Sequence, residues 1–145
     1  MVKVSYPTKA QILSGGFQVA FATGDKEWNK SQLGAYADSK GVYVHHCNGA
    51  ILYVGKTTSG EWATFAERLR REFRPRPDKK HWDALQKLLS TQTQPIRAYL
   101  LDYQDLGVLV DFGPISVKPE AKALLMEQVL IAIYDPPGNR RLGNE

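Results

Sequence analysis

The chain has 145 residues, 43% of them hydrophobic and 23% charged, with 19 lysines and arginines against 15 aspartates and glutamates. That is one ordinary domain's worth of sequence, large enough for a real core and too small for two full domains. No apolar run approaches the roughly 18 residues of a membrane span, and the opening MVKVSYPTKAQILSGG lacks the apolar centre of a secretory signal, so no membrane partner and a cytoplasmic setting are expected. Cys47 is the single cysteine, which excludes an intrachain disulfide and a zinc site of the usual thiolate kind.

The net charge of +4 is unevenly placed. Between Ala66 and Trp82 stand seven basic residues (Arg68, Arg70, Arg71, Arg74, Arg76, Lys79 and Lys80) against three acids, a surplus equal to that of the whole chain. From Asp102 to Asp135 six acids face only Lys118 and Lys122. A basic strip of this kind is the electrostatic footprint of a polyanion binder, although a solvated helix face with glutamate partners gives the same count.

In chain order, Phe17 to Ala22 (FQVAFA) follows a Ser-Gly-Gly turn and reads as a strand, and Asp25 to Ala37 as a short helix begun by an Asp cap. Gly41 to Cys47 and Ala50 to Gly55 alternate around Asn48-Gly49, the signal of a β-hairpin. Thr58-Ser59-Gly60-Glu61 has capping-box spacing, and Trp62, Phe65, Ala66, Leu69 and Phe73 then share a helical face until Pro75 ends it. Trp82 to Leu89 predicts a further short helix and Ile96 to Asp102 a buried strand. The stretch from Gln104 to Val117 reads as a long connection holding a strand at Val108 to Val110, and Pro119 opens a helix to Tyr134. The order suits an α/β (α+β) fold: a small, mainly antiparallel three-stranded sheet flanked by helices. Residues 1–40 form an N-terminal extension packed on a core of residues 41–139, with 104–117 as an insertion and 140–145 as a tail.

Four elements resemble the motifs of the GIY-YIG nucleases in their usual order: Gly41-Val42-Tyr43, Tyr53-Val54-Gly55-Lys56, Phe65-Ala66-Glu67-Arg68, and Glu127 followed by Asn139. The stretch LLMEQVLIAIYDPPGN is similar to its counterpart in the nuclease domain of the bacterial nucleotide-excision-repair endonuclease. The resemblance spans Gly41 to Asn139. It implies a GIY-YIG fold and a Mg²⁺-dependent endonuclease acting on DNA, with Mn²⁺ as a substitute and RNA as a second polyanion. A homodimer cutting both strands, as family restriction enzymes do, is compatible with it.

A shared site requires Tyr43 and Tyr53 on one sheet face. A two-residue turn at Asn48-Gly49 with regular pairing would set Tyr43 opposite Val54 and place the tyrosines on opposite faces. A three-residue loop, Cys47-Asn48-Gly49 with a G1 bulge, pairs Tyr43 with Tyr53 and gathers Val42, Val44, His46, Ala50, Leu52 and Val54 on a core face. The second register is expected, leaving Tyr43, His45, Ile51 and Tyr53 on a functional face.

Taken singly, the tyrosines are ordinary strand residues. The resemblance gives Tyr43 the role of activating or aligning the attacking water, helped by Lys56 because a phenol of ordinary pKa near 10 is a poor base, while Tyr53 orients the phosphate. Arg68 matches the family's arginine, whose fork clamps the scissile phosphate; its bland alternative is an ion pair with Glu72 one turn on. Glu127, a carboxylate in an apolar helix, becomes the Mg²⁺ ligand. Gly41, Gly55, Glu72 and Asn139 support the site, and Glu72 stands where many members carry histidine, with no assigned role. His45, His46 and Cys47 are read as hairpin structure, since adjacent strand residues face opposite ways and cannot share a metal. Arg70, Arg71, Arg74, Arg76, Lys79, Lys80, Arg140 and Arg141 contact backbone phosphates. The competing reading is a nucleic-acid-binding module that keeps the fold without catalysis.

Overall fold

The computed structural model describes residues 2–14, 30–57, 64–72 and 80–140, so the expected strand at Phe17 to Ala22 and the cap at Thr58 lie outside the described residues. Within them the chain is α+β. It runs β1 (Lys3–Val4), α1 (Lys9–Ser14), a 3₁₀ segment (Lys30–Tyr36), β2 (Gly41–Cys47), β3 (Ala50–Lys56), α2 (Phe65–Arg71), α3 (Lys80–Ser90), β4 (Arg97–Asp102), α4 (Tyr103–Leu109), β5 (Val110–Asp111) and α5 (Pro119–Tyr134). The segment before β2, expected as α-helix, is 3₁₀ over its described part and is kinked at Gly34.

Three strands form an antiparallel sheet in the order β3-β2-β4, with β2 at its centre, and β1 pairs with β5 in a separate two-stranded ribbon. Period-2 alternation divides β2 between two cores. Tyr43, Leu52, Tyr53, Ala98 and Leu100 pack with Phe65 and Leu69 of α2 and Leu85 and Leu89 of α3. Val42, Val44, Ile51, Val54 and Leu101 pack with Ile12, Leu106 and the α5 residues Ala123, Met126 and Leu130. Both faces of the sheet are therefore core, and the expected division into one buried and one functional face does not hold.

The hairpin also closes differently from the expected three-residue loop. Cys47 pairs with Ala50, so Asn48 and Gly49 alone make the turn, both at positive φ (50° and 81°) as a type I′ turn demands. The extra residue enters further on: His46 pairs with Ile51 but His45 with Tyr53, which leaves Leu52 as a β-bulge. One inserted residue flips the alternation beyond it. Leu52 joins the tyrosine side and Ile51 the valine side, the reverse of the expectation, and Tyr53 still reaches the face of Tyr43.

The stretch after β4 is likewise more ordered than a connection. Asp102 and Asp105 cap α4 reciprocally, the Asp105 N–H donating to Asp102 Oδ1 at 2.8 Å and the Asp102 N–H to Asp105 Oδ2 at 3.0 Å. Val108 is thus helical, and the short strand falls at Val110–Asp111. α5 matches its expected bounds. Pro119 opens it, and Asp135 closes it in the left-handed conformation before Pro136 and Pro137. No helix among the described residues is long and apolar enough to cross a membrane.

His46 is buried on β2, and burial, with Arg97 and His45 nearby, lowers its pKa from 6.5 to about 4. The unfolded chain then binds more protons than the folded one between these two values, so stability falls as pH is lowered through that window. Urea midpoints at pH 7 and pH 5 are expected to show a clear loss at pH 5 in the wild type and a smaller loss in His46→Gln. Equal losses would contradict this assignment.

Candidate functional site

The site grows from the hairpin and the helix laid over it. The first N–H groups of α2 dock on the chain just before β2, Phe65 donating to the Ser39 carbonyl at 2.9 Å and Ala66 to that of Ala37 at 3.1 Å. Thr64 caps the described helix by accepting from the Glu67 N–H at 3.3 Å. Phe65 and Leu69 are buried beneath α2, which turns Arg68 and, one turn later, Glu72 toward the tyrosine face.

Tyr43 lies under this helix, fully buried, with Phe65 edge-on at 6.4 Å and Tyr53 tilted at 6.1 Å between ring centroids. Gly55 sits opposite it across the hairpin, and this explains the glycine of the Tyr-Val-Gly motif. A Cβ at Gly55 would overlap Tyr43 Cζ and hydroxyl and stand 2.7 Å from Tyr53 Cε2. A Cβ at Gly41 would run into the Leu101 carbonyl and lie 2.9 Å from Asp102 Cα, so this glycine lets β2 approach the end of β4.

The Tyr43 hydroxyl donates to Glu72 Oε2 in a short hydrogen bond and accepts from Arg68 Nε at 3.3 Å. Glu72 is 2% exposed, and its other oxygen lies 2.7 Å from His45 Nε2. A carboxylate only accepts, so the ionised form of Glu72 places the hydrogen of His45 on Nε2. Burial, followed by the charge of Glu72, pushes the Tyr43 hydroxyl well above the ordinary phenol range, with Arg68 opposing. Burial and Glu72 raise Tyr53 in the same way. Burial disfavours the Arg68 guanidinium, but Tyr43 and Glu72 outweigh it and hold the charge more firmly than usual.

Lys56 was expected beside Tyr43 and is not there. It pairs with Val42, which sets its side chain on the α5 side of the sheet, and its charge acts on Glu127. Burial raises the Glu127 carboxyl, while Lys56 and then Arg68 oppose that shift, so this half-buried acid feels both cations. Asn139 closes the outer edge of β3: its Oδ1 accepts from the Val54 N–H at 2.8 Å and its Nδ2 donates to the Val54 carbonyl at 2.7 Å. The side chain thus satisfies both backbone groups of an edge residue as a neighbouring strand would.

The structure brings Tyr43, Tyr53, Arg68 and Glu72 together, and Lys56 and Glu127 form a second pair whose carboxylate also acts on Arg68 and Tyr53. His45 was read as hairpin structure, and it belongs to the first group. Its signal was its spacing, two residues from Tyr43 and hence on the same face, opposite a lone acid at the end of α2. Of the residues expected at backbone phosphates, Arg70 is bound by both oxygens of Glu67 at 2.9 and 3.0 Å, Arg71 is exposed, and Arg140 pairs with Asp135 at 3.3 Å. Arg74, Arg76, Lys79 and Arg141, and the side chain of Lys80, lie outside the described residues.

Among the described residues no three His, Cys, Asp or Glu side chains converge on a metal position. Glu127 alone still fits Mg²⁺, which commonly takes one or two carboxylates and completes its shell with water and phosphate oxygens.

Gly55→Ala is expected to lower stability by about 1–3 kcal/mol through overpacking against Tyr43. Gly107→Ala, on α4 with nothing within 4 Å of the added Cβ, should instead raise it by about 0.5–1 kcal/mol. Urea unfolding of the two variants checks both signs. No family model, no curated protein and no solved structure matches the chain.

Proposed function

We propose that the chain is a compact GIY-YIG-like nuclease that hydrolyses DNA phosphodiester bonds with Mg²⁺. The observation that carries this reading is the meeting of Tyr43, Tyr53 and Arg68 on the hairpin and the helix that follows it, at the positions where the motifs anticipate them. The antiparallel order β3-β2-β4 with helices on both faces supports the corresponding fold.

Arg68 is the clamp for the scissile phosphate. The residue is partly exposed and its guanidinium held charged, and its planar fork matches phosphate oxygens and the negative charge that grows on them in the transition state. Glu127, with its phosphate ligand, would hold Mg²⁺, which when bound supplies charge neutralisation at the leaving oxygen. Lys56 balances the charge of Glu127. Tyr53 lines the phosphate side of the hairpin, and Tyr43 aligns the attacking water through its hydroxyl.

One observation favours the second reading, a binding module without catalysis: Tyr43 is wholly buried and its hydroxyl is engaged by Glu72, Arg68 and Tyr53. Supercoiled plasmid separates the two. The nuclease reading expects nicking with Mg²⁺ that EDTA abolishes and that Arg68→Ala lowers by about 10²–10³-fold, with Glu127→Gln also defective. Salt-sensitive DNA binding without nicking in Mg²⁺ or Mn²⁺ would establish the binding module instead.

A further inference from the structure

Glu72 stands where the motif commonly has histidine, yet it is the most deeply buried acid among the described residues and the one that Tyr43 faces. A buried carboxylate needs donors or opposite charge around it, and here two donors and one cation supply them. Tyr43 donates to Oε2, His45 Nε2 meets Oε1, and the Arg68 charge lies one helical turn away. Tyr53, with its ring 6.3 Å from that of His45, completes the titratable groups that face this carboxylate among the described residues.

A neutral phenol whose hydroxyl already donates to a carboxylate is a poor base on its own. It accepts a proton from water only as it gives up its own, and the group placed to take that proton is Glu72. We infer that Glu72, positioned by His45, is the proton acceptor behind Tyr43, so that the base of the reaction is a Tyr43–Glu72–His45 relay rather than tyrosine with lysine. This rests on the nuclease reading above.

The step balances without a further reactant. The water oxygen bonds to phosphorus as one of its O–H bonds breaks, and that proton passes to Tyr43 Oη. The original Tyr43 proton moves to Glu72 Oε2. The phosphorus–oxygen bond to the leaving group breaks with its electron pair, and the leaving oxygen takes a proton from solvent. His45 donates to Oε1 throughout and holds Oε2 against the hydroxyl. Of the groups bonded to the Tyr43 hydroxyl, Glu72 and Tyr53 are buried and Arg68 is partly exposed, so the route for water to that oxygen runs beside Arg68.

Two measurements test the relay. In ¹⁵N-histidine spectra of the wild-type protein, which need neither substrate nor a variant, His45 is expected to carry hydrogen on Nε2; an unprotonated Nε2 would overturn the assignment. In plasmid nicking, Glu72→Gln should lower kcat by about 10²–10⁴-fold with KM nearly unchanged, and His45→Gln, which keeps a donor, should retain more activity than His45→Ala. Wild-type nicking with an undiminished kcat in folded Glu72→Gln would overturn the relay and leave the nuclease reading standing, whereas wild-type protein that binds DNA and never nicks it would overturn that reading itself.

Discussion

The buried Glu72 carboxylate is the constraint around which the rest of the structure is arranged. It sits at the end of α2 and is met by two side chains of the central strand, so it ties the helix to the sheet by polar bonds inside an otherwise apolar layer. Removing one partner of such a buried set costs about 3–5 kcal/mol, because the remaining charge or donor stays in a medium that cannot solvate it. The same bonds fix the Tyr43 hydroxyl, and through it Arg68. Position and chemistry thus depend on one carboxylate.

Backbone features converge on that point. The Leu52 bulge returns Tyr53 to the face of Tyr43, Gly55 leaves room for the Tyr43 ring, and Asn139 seals the edge of β3 beside them. Each accommodates the tyrosine pair at the cost of regular pairing, side-chain volume or an open edge. Among the described residues the α5 side of the sheet is an apolar layer under a helix, with Glu127 and Lys56 at its margin.

Much of this was legible in the sequence. Alternation around Asn48-Gly49 marked the hairpin, and Pro119 with Pro136-Pro137 bounded α5. The tyrosines were placed on one face correctly but for the wrong reason, since a bulge one residue into β3 and a longer turn shift the face of Tyr53 in the same way, and composition cannot distinguish them. α4 was missed because Gly107 and the β-branched residues around it mask a helix whose evidence is the Asp102–Asp105 reciprocal cap. Lys56 was misplaced because neighbours in sequence along a strand point to opposite faces. The spacing of His45 from Tyr43 marks a shared face, but nothing local links that strand histidine to an acid 27 residues away.

The central claim is that Tyr43 and Glu72 act as one unit, and a double-mutant cycle in urea unfolding measures that directly. With Tyr43→Phe, Glu72→Gln and the double variant, the account predicts a coupling of about 1–3 kcal/mol, the range of residues sharing a buried network. Effects that add to within about 0.5 kcal/mol would contradict it.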